Sequence, residues 1–345
     1  MPTPYDRQLT LVVSGLWGPR TETATPVAVP TLATALARAD RESSAVSGLD
    51  AVLFALFGLA AAEDADLPVA AVTRVLDMGV IDKGWWLRAD PVYLQPDRDR
   101  LLLSDNELLQ VTQGEADQLV AEILQTFSAD GWVLKAARPG RWYLKPSRAP
   151  RLQTTPLGDV VGHDIHPYLP RGKDGRQWHT VLNEVQILLH TAAANAAREA
   201  RGQLPVNSLW FWGGGRLPAM KPAPWTHVYS QEPLSLALAR LAGVASRDRP
   251  RDFADWARQA TPNGAHLLVL DQARAAVQYH QHDAWRAFIE SLERDWIEPA
   301  WKAIKRRELH ALIVCDDQGR RYRLTSSGTR RWWRRRVEFP RDSRP

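Results

Sequence analysis

Val206-Asn-Ser-Leu-Trp-Phe-Trp-Gly-Gly-Gly-Arg-Leu-Pro218 is the stretch on which the fold turns. Val206–Trp212 reads as a strand, and Gly213–Gly215 break it in a tight turn that needs positive φ. Upstream, a long helix is expected from about Trp178 to Arg201, stopped by Gly202. Its apolar face is Val185, Leu188 and Leu189, and Asn183, Gln186 and His190 share the opposite face. A helix feeding directly into an apolar strand implies an α/β domain.

The same alternation extends outward in both directions. Thr112-Gln-Gly-Glu115 has the form of a capping box ahead of Ala116, Leu119, Val120, Ile123, Leu124 and Phe127 at helical spacing. Trp132–Ala136 and Arg141–Lys145 read as strands paired across Pro139-Gly140. At the start, Leu9–Val13 is a β-branched strand stopped by Ser14-Gly15, followed by helices over Thr31–Arg38 and Leu49–Leu59. At the end, Leu267–Leu270, Asp283–Glu293, Trp296–Arg307 and Leu309–Cys315 alternate strand, helix, helix, strand, with Tyr322–Leu324 as a hairpin partner. The expected architecture is one discontinuous α/β domain, residues 1–84 plus 246–329. A smaller α/β domain is inserted over 85–245, and 330–345 forms a basic tail.

Composition narrows the classes. The 345 residues are 45% hydrophobic and 24% charged, an ordinary globular balance that excludes collagen-like and largely disordered chains. The apolar run Val52–Ala62 is about half of the roughly 20 residues a membrane helix needs, so no membrane association is expected. Met1–Arg7 carries no basic signal-peptide region, and a lone cysteine, Cys315, excludes internal disulfides; a cytoplasmic location is expected. The formal charge is +5, seven lysines leave 37 arginines, and there are 15 tryptophans.

Candidate chemistry is sparse. No GxSxG nucleophile elbow is present, and Cys315 lies in an apolar strand. The pairs His163/His166 and His280/His282 have metal-ligand residue types without the rest of a zinc motif. Arg330-Arg-Trp-Trp-Arg-Arg-Arg336 combines phosphate-pairing guanidinium groups with stackable indoles. Its bland reading is a tail whose tryptophans pack on the domain; its sharper reading is a surface for single-stranded nucleic acid or an acidic protein.

Read together, Arg141-Trp142-Tyr143-Leu144, His163-Asp164-Ile165-His166, Leu182-Asn183, Leu188-Leu189-His190, Asn195, Arg198, Gly202, Asn207 and Gly213–Pro218 resemble the archaeal-type cofactor-independent phosphoglycerate mutases of the alkaline phosphatase superfamily. The pattern is closer still to the RpfE-type regulatory proteins of proteobacteria. The resemblance implies an alkaline-phosphatase-like α/β domain with an inserted smaller α/β domain. In the mutases it also implies two metals and a phosphorylated serine. Here Ser14-Gly15 takes the place of a metal-binding Asp-Gly, and Leu49 falls where the serine belongs, with Ser47 out of register. Asp316-Asp317 replaces Asp-His, and only Asp271 and His282-Asp283 echo a further metal segment. Thr25-Pro26 and Pro30–Leu32 retain the family's turn.

The expectation is therefore a mutase-like protein without phosphoryl transfer, acting by binding. A small phosphate or carboxylate metabolite is its expected ligand, with Arg141, His166, His190, Asn195, Arg198 and Asn207 lining the cleft. No catalytic residue and no cofactor are expected, and a protein partner is a further expectation. Two alternatives stand beside it. One is an active phosphomutase or phosphatase holding Mn or Zn on ligands drawn from Asp50, Asp271, His282, Asp283, Asp316 and Asp317. The other is a nucleic-acid-associated protein using Arg330–Arg336.

Overall fold

Leu9, Leu11, Val12 and Val13 are all fully buried, as the unbroken apolar run requires of a central parallel strand covered on both faces. The computed structural model describes residues 6–19, 26–62, 65–335 and 339. Among these the strands, in chain order, are β1 (Arg7–Val13), β2 (Asp40–Ser43), β3 (Trp86–Asp97), β4 (Arg100–Ser104), β5 (Val133–Arg138), β6 (Arg141–Lys145), β7 (Ser208–Gly215), β8 (Trp225–Tyr229), β9 (Ala245–Arg247), β10 (Gly264–Leu270), β11 (Ala311–Asp316) and β12 (Arg320–Thr325). Thr25 of the turn segment, Met1–Tyr5 of the N-terminal reading, and 336–338 and 340–345 of the tail lie outside the described residues.

The chain divides into two compact units, residues 1–58 with 221–345, and residues 59–220. The first carries a seven-stranded sheet in the order β2-β12-β11-β1-β10-β8-β9. Strands β11, β1, β10, β8 and β9 run parallel, and β12 is antiparallel to both β11 and β2. Leu268, Leu270, Leu312 and Val314 join Leu9, Leu11 and Val13 in one core. Helix His282–Leu292 adds Trp285, Ile289 and Leu292 to it, and helix Glu298–Lys305 adds Ala300 and Ile304. Burying each such leucine, valine or isoleucine side chain stabilises the fold by roughly 1.5–3 kcal/mol.

The second unit carries a five-stranded sheet, β4-β3-β6-β5 with β7 on β3. Helices Gln113–Phe127 and Gly175–His190 contribute Leu119, Ile123, Phe127, Trp178, Leu182 and Val185 to its core. The expected capping box is present: Thr112 Oγ1 accepts from the Glu115 amide, and the Glu115 carboxylate accepts from the Thr112 amide. The hairpin across Pro139-Gly140 also forms, as β5 and β6.

Two expectations are corrected. The long helix breaks after His190 and resumes at Ala193–Ala200. Asn195 takes the Leu189 carbonyl, and Glu122 accepts the Ala193 and Ala194 amides, so tertiary partners satisfy both new helix ends. The triple glycine lies inside β7, where the helix side of the unit closes onto the strand. A Cβ on Gly213 would meet Val69 at 2.9 Å, on Gly214 the Trp85 ring at 2.5 Å, and on Gly215 Pro68 at 2.6 Å. Only Gly213 has positive φ, +62°. The compact units part at 58/59 and 220/221. Helix Val69–Met78 packs on β7 and β3, and β8 and β9 complete the sheet of β10.

Candidate functional site at the carboxyl edge of the seven-stranded sheet

In open α/β sheets, ligands bind outside the carboxyl ends of the strands where the winding direction changes. Strand β1 lies between β10 and β11, so the connection from β10 to β11 must pass it. The edge there is formed by Ser14 after β1, Glu232 after β8, Asp271 after β10 and Asp316-Asp317 at the end of β11.

Asp316 is fully buried and fully engaged. One carboxylate oxygen accepts from the amides of Gln318 (3.0 Å) and Arg320 (2.9 Å). The other accepts from Trp17 Nε1 and Arg320 Nε, both at 2.6 Å. The Arg320 guanidinium lies 4.8 Å from the Trp17 ring centroid, which fixes both donors. Asp316 therefore holds its own turn closed.

Asp317 is different. Its Oδ2 accepts from the Gly15 amide (2.6 Å) and the Ser14 hydroxyl (3.2 Å), while buried Oδ1 has no partner among the described residues. Burial pushes its carboxyl up to about 6, against the pull of the Gly15 amide and of Arg274. Its carbonyl accepts from the Gly48 amide, which brings the start of helix Leu49–Leu56 to this edge. Leu49 and Asp50 are both buried there, and Ser47 is exposed.

Glu232 is buried and caps helix Pro233–Leu241, accepting from the amides of Leu234 (2.8 Å) and Ser235 (2.6 Å). Burial pushes it up to about 7; Asp50 adds to that push and Arg274 opposes it. Asp271 pairs with Arg249 at 3.3 Å. His282 and Asp283 are exposed at the start of their helix.

Among the described residues, no group of three His, Cys, Asp or Glu side chains is placed to hold a metal ion. The donor set agrees with that. Asp316 has its oxygens filled by four donors, Asp271 faces an arginine, and Ser14 is itself a donor. These residues do not fit a two-metal centre.

The residues expected to line an anion cleft all fall in the unit 59–220, and each engaged one has its own partner. Arg141 makes a bidentate pair with Asp77 (2.7 and 2.5 Å), which also accepts from the Tyr143 hydroxyl (2.6 Å). Arg198, with no exposed surface, donates to Glu115 (2.8 Å) and to the carbonyls of Leu109 (2.6 Å) and Leu204 (2.9 Å). Asn195 bonds the Leu189 and Val206 carbonyls and the Val206 amide. Asn207 bonds both backbone groups of Leu94. His166 is exposed and meets Asp164 at 2.8 Å, and His190 is exposed at its helix end. Arg141, Asn195, Arg198 and Asn207 are thus each engaged within the unit, and His166 and His190 stand in solvent.

Two clusters had no place in the sequence reading, one buried and one built around the buried His266. Asp90, fully buried, accepts from Arg88, the Trp142 amide and Trp212 Nε1 (2.8 Å). The Arg88-Ala89-Asp90 spacing, two residues along one strand face, was its available signal. His227 and His266 stack at 5.8 Å beside Tyr229 and Trp256. Burial pushes His266 down to about 4, with His227 adding to the effect.

No family model matches the chain. Over 157 residues it is 27% identical to a probable 2,3-bisphosphoglycerate-independent phosphoglycerate mutase of Geobacter sulfurreducens, covering 44% of this chain and 38% of that protein. Over 66 residues it is 38% identical to a 2,3-bisphosphoglycerate-independent phosphoglycerate mutase of Methanosarcina mazei, covering 19% and 17%. These matches span well under half the length of the curated relatives. A protein of Pyrococcus horikoshii superposes with a TM-score of 0.52 over 91% of this chain and 82% of that one, at 16% identity. The chain is similar to the cofactor-independent mutases, and its fold is the expected α/β, alkaline-phosphatase-like architecture. Among the described residues, no helix is long and apolar enough to cross a membrane.

Proposed function

We propose that this mutase-like chain has lost phosphoryl transfer and acts by binding, as a regulatory protein of the RpfE type. The observation that carries the reading is Asp316. It stands where the resemblance places a metal ligand, and its oxygens are occupied by Trp17, Arg320 and two backbone amides. A metal there would have to displace a half-buried guanidinium from a buried carboxylate, which costs more than an open carboxylate site does. Ser14 and buried Leu49 supply neither a carboxylate nor a nucleophile in their places. A small phosphate or carboxylate metabolite is the ligand class of this reading. On the expected residues it would have to compete with Asp77 for Arg141 and with Glu115 for Arg198, which leaves His166 and His190 as the solvent-open contacts.

One observation favours an active enzyme: the unpartnered Oδ1 of Asp317, near the charges of Arg274 and Asp316. Metal analysis after dialysis against Mn²⁺ and Zn²⁺, with turnover of 3-phosphoglycerate and a generic phosphate ester, separates the two. The expected result is substoichiometric metal and no turnover above background. Stoichiometric metal, with turnover abolished in Asp316→Ala and Asp317→Ala, would overturn the binding reading.

A further inference from the structure

Trp332 and Trp333 are 77% and 63% exposed, the two aromatics among the large apolar side chains that the described residues leave in solvent. The bland expectation, that they pack on the domain, is corrected. They do not hang on a loose chain either. Arg331 donates to the Arg38 carbonyl (3.0 Å) and pairs with Asp40, and Arg334 donates to the Ala39 carbonyl (2.8 Å). The amides of Arg331 and Arg334 close turns on the Gly328 and Arg331 carbonyls. Both indoles are therefore presented on a pinned turn, in a T arrangement 6.1 Å apart at 83°.

The ground beside them is basic. Strand β2, at the edge of the seven-stranded sheet, is exposed throughout and bonded on one side to β12. Its two acids are already matched, Asp40 by Arg331 and Glu42 by Arg321 at 3.3 Å. Arg41, Arg330, Arg334 and Arg335 remain exposed without a carboxylate of their own among the described residues, and Arg323 stands opposite Asp40 in the strand register. A hollow of about 490 Å³ lies between Ala37, Ala39, Asp40, Arg41 and Arg334.

We propose that this turn and the β2 edge form a binding face for single-stranded nucleic acid. Guanidinium groups pair phosphates, and exposed indoles offer the flat faces on which unpaired bases stack. An acidic polypeptide would answer the arginines but gives the indoles no planar partner. Duplex DNA gives them no open base face. The perpendicular rings suit bases splayed from one another, as in a single strand. The face lies apart from the carboxyl edge of the sheet, so this proposal stands or falls independently of the binding reading above.

The test is fluorescence anisotropy of the full chain with a labelled oligothymidylate, the matching duplex and polyglutamate, across a salt series. Tight single-strand binding is expected, with log K falling linearly with log salt and the duplex much weaker. Trp332→Ala and Trp333→Ala should each weaken single-strand binding by about tenfold. Arg330→Ala/Arg335→Ala should reduce the salt slope, the circular dichroism of all variants staying that of the parent. Three outcomes overturn the proposal. They are no single-strand binding at low salt, unchanged affinity in both Trp variants, or polyglutamate binding as tightly as the oligonucleotide, which would make this a protein surface.

Discussion

The unit 59–220 and the carboxyl edge of the seven-stranded sheet use buried polar groups in opposite ways. In the first, Arg198, Asn195 and Asn207 reach backbone carbonyls and amides that would otherwise be orphaned, and Arg141 and Arg88 are matched by Asp77 and Asp90. At the second, Glu232 and Asp317 are buried carboxyls held above their ordinary range, and one oxygen of Asp317 is left over. The residues that carry the resemblance to mutases sit mostly in the first region. There Arg141, Asn195, Arg198 and Asn207 each bond a carboxylate or a backbone group of the same unit.

The largest effect that can break this contrast is at Arg198. Arg198→Met strands the buried Leu109 carbonyl, frees the Leu204 carbonyl and removes one donor from Glu115, which keeps Thr112 and Arg201, and should cost about 2–4 kcal/mol in urea unfolding of the full chain. A loss near zero would mean the fastening reading of unit 59–220 is wrong. It would also return Arg198 to the pool of ligand residues.

Acid and base should then separate Asp77 from Glu232; Asp66 and Asp90, in the same unit as Asp77, are pushed up by burial as Glu232 is. Burial pushes Asp77 up, but Arg141 and Tyr143 more than offset it and hold its carboxyl below the ordinary range. Its contribution is present above the unfolded value of 3.8 and is lost as pH falls through the lower folded value. Glu232 has the opposite sign. Its folded value near 7 lies above the unfolded 4.5, so its protonated form favours the fold below about 4.5, and that advantage drains away as pH rises through 7. Asp77→Asn should therefore lose stability at pH 7 and approach the parent in strong acid. Glu232→Gln should gain on its parent between pH 5 and pH 8, by about 1–3 kcal/mol. Chemical denaturation at each pH reads both, and parallel responses would mean that Asp77 and Glu232 are not held in opposite senses.

What was legible in the chain follows the same division. The capping box at Thr112/Glu115, the β5–β6 hairpin and the apolar run of β1 are local, each decided by residues within a few positions. The break at Thr191-Ala192 was not, because Glu122 stabilises it from another helix. Gly213–Gly215 read as a turn, since nothing local shows that Pro68, Val69 and Trp85 close on them. The partners of the expected cleft residues were hidden for a related reason. Residue type marks Arg198 and Asn195 as capable of holding an anion, but a buried carbonyl attracts the same donors. Glu232 escaped notice although its signal was present: an acid directly before Pro233 is a helix N-cap.

The smallest effect tests whether the edge retains any chemistry. Ser14 donates one long hydrogen bond, 3.2 Å, to Asp317 Oδ2, which keeps the stronger 2.6 Å bond from the Gly15 amide. Ser14→Ala should cost about 0.5–1 kcal/mol in the same unfolding assay. Its other consequence is sharper. With one fewer donor on a buried carboxyl, Asp317 should titrate further above its value of about 6, because hydrogen bonds to the ionised form are what restrain the upward push of burial. An NMR titration of the Asp317 carboxyl carbon reads that shift directly. An unmoved or lowered value would mean that Asp317 is governed by a group other than Ser14 and Gly15, and the edge would regain its claim to a bound cation.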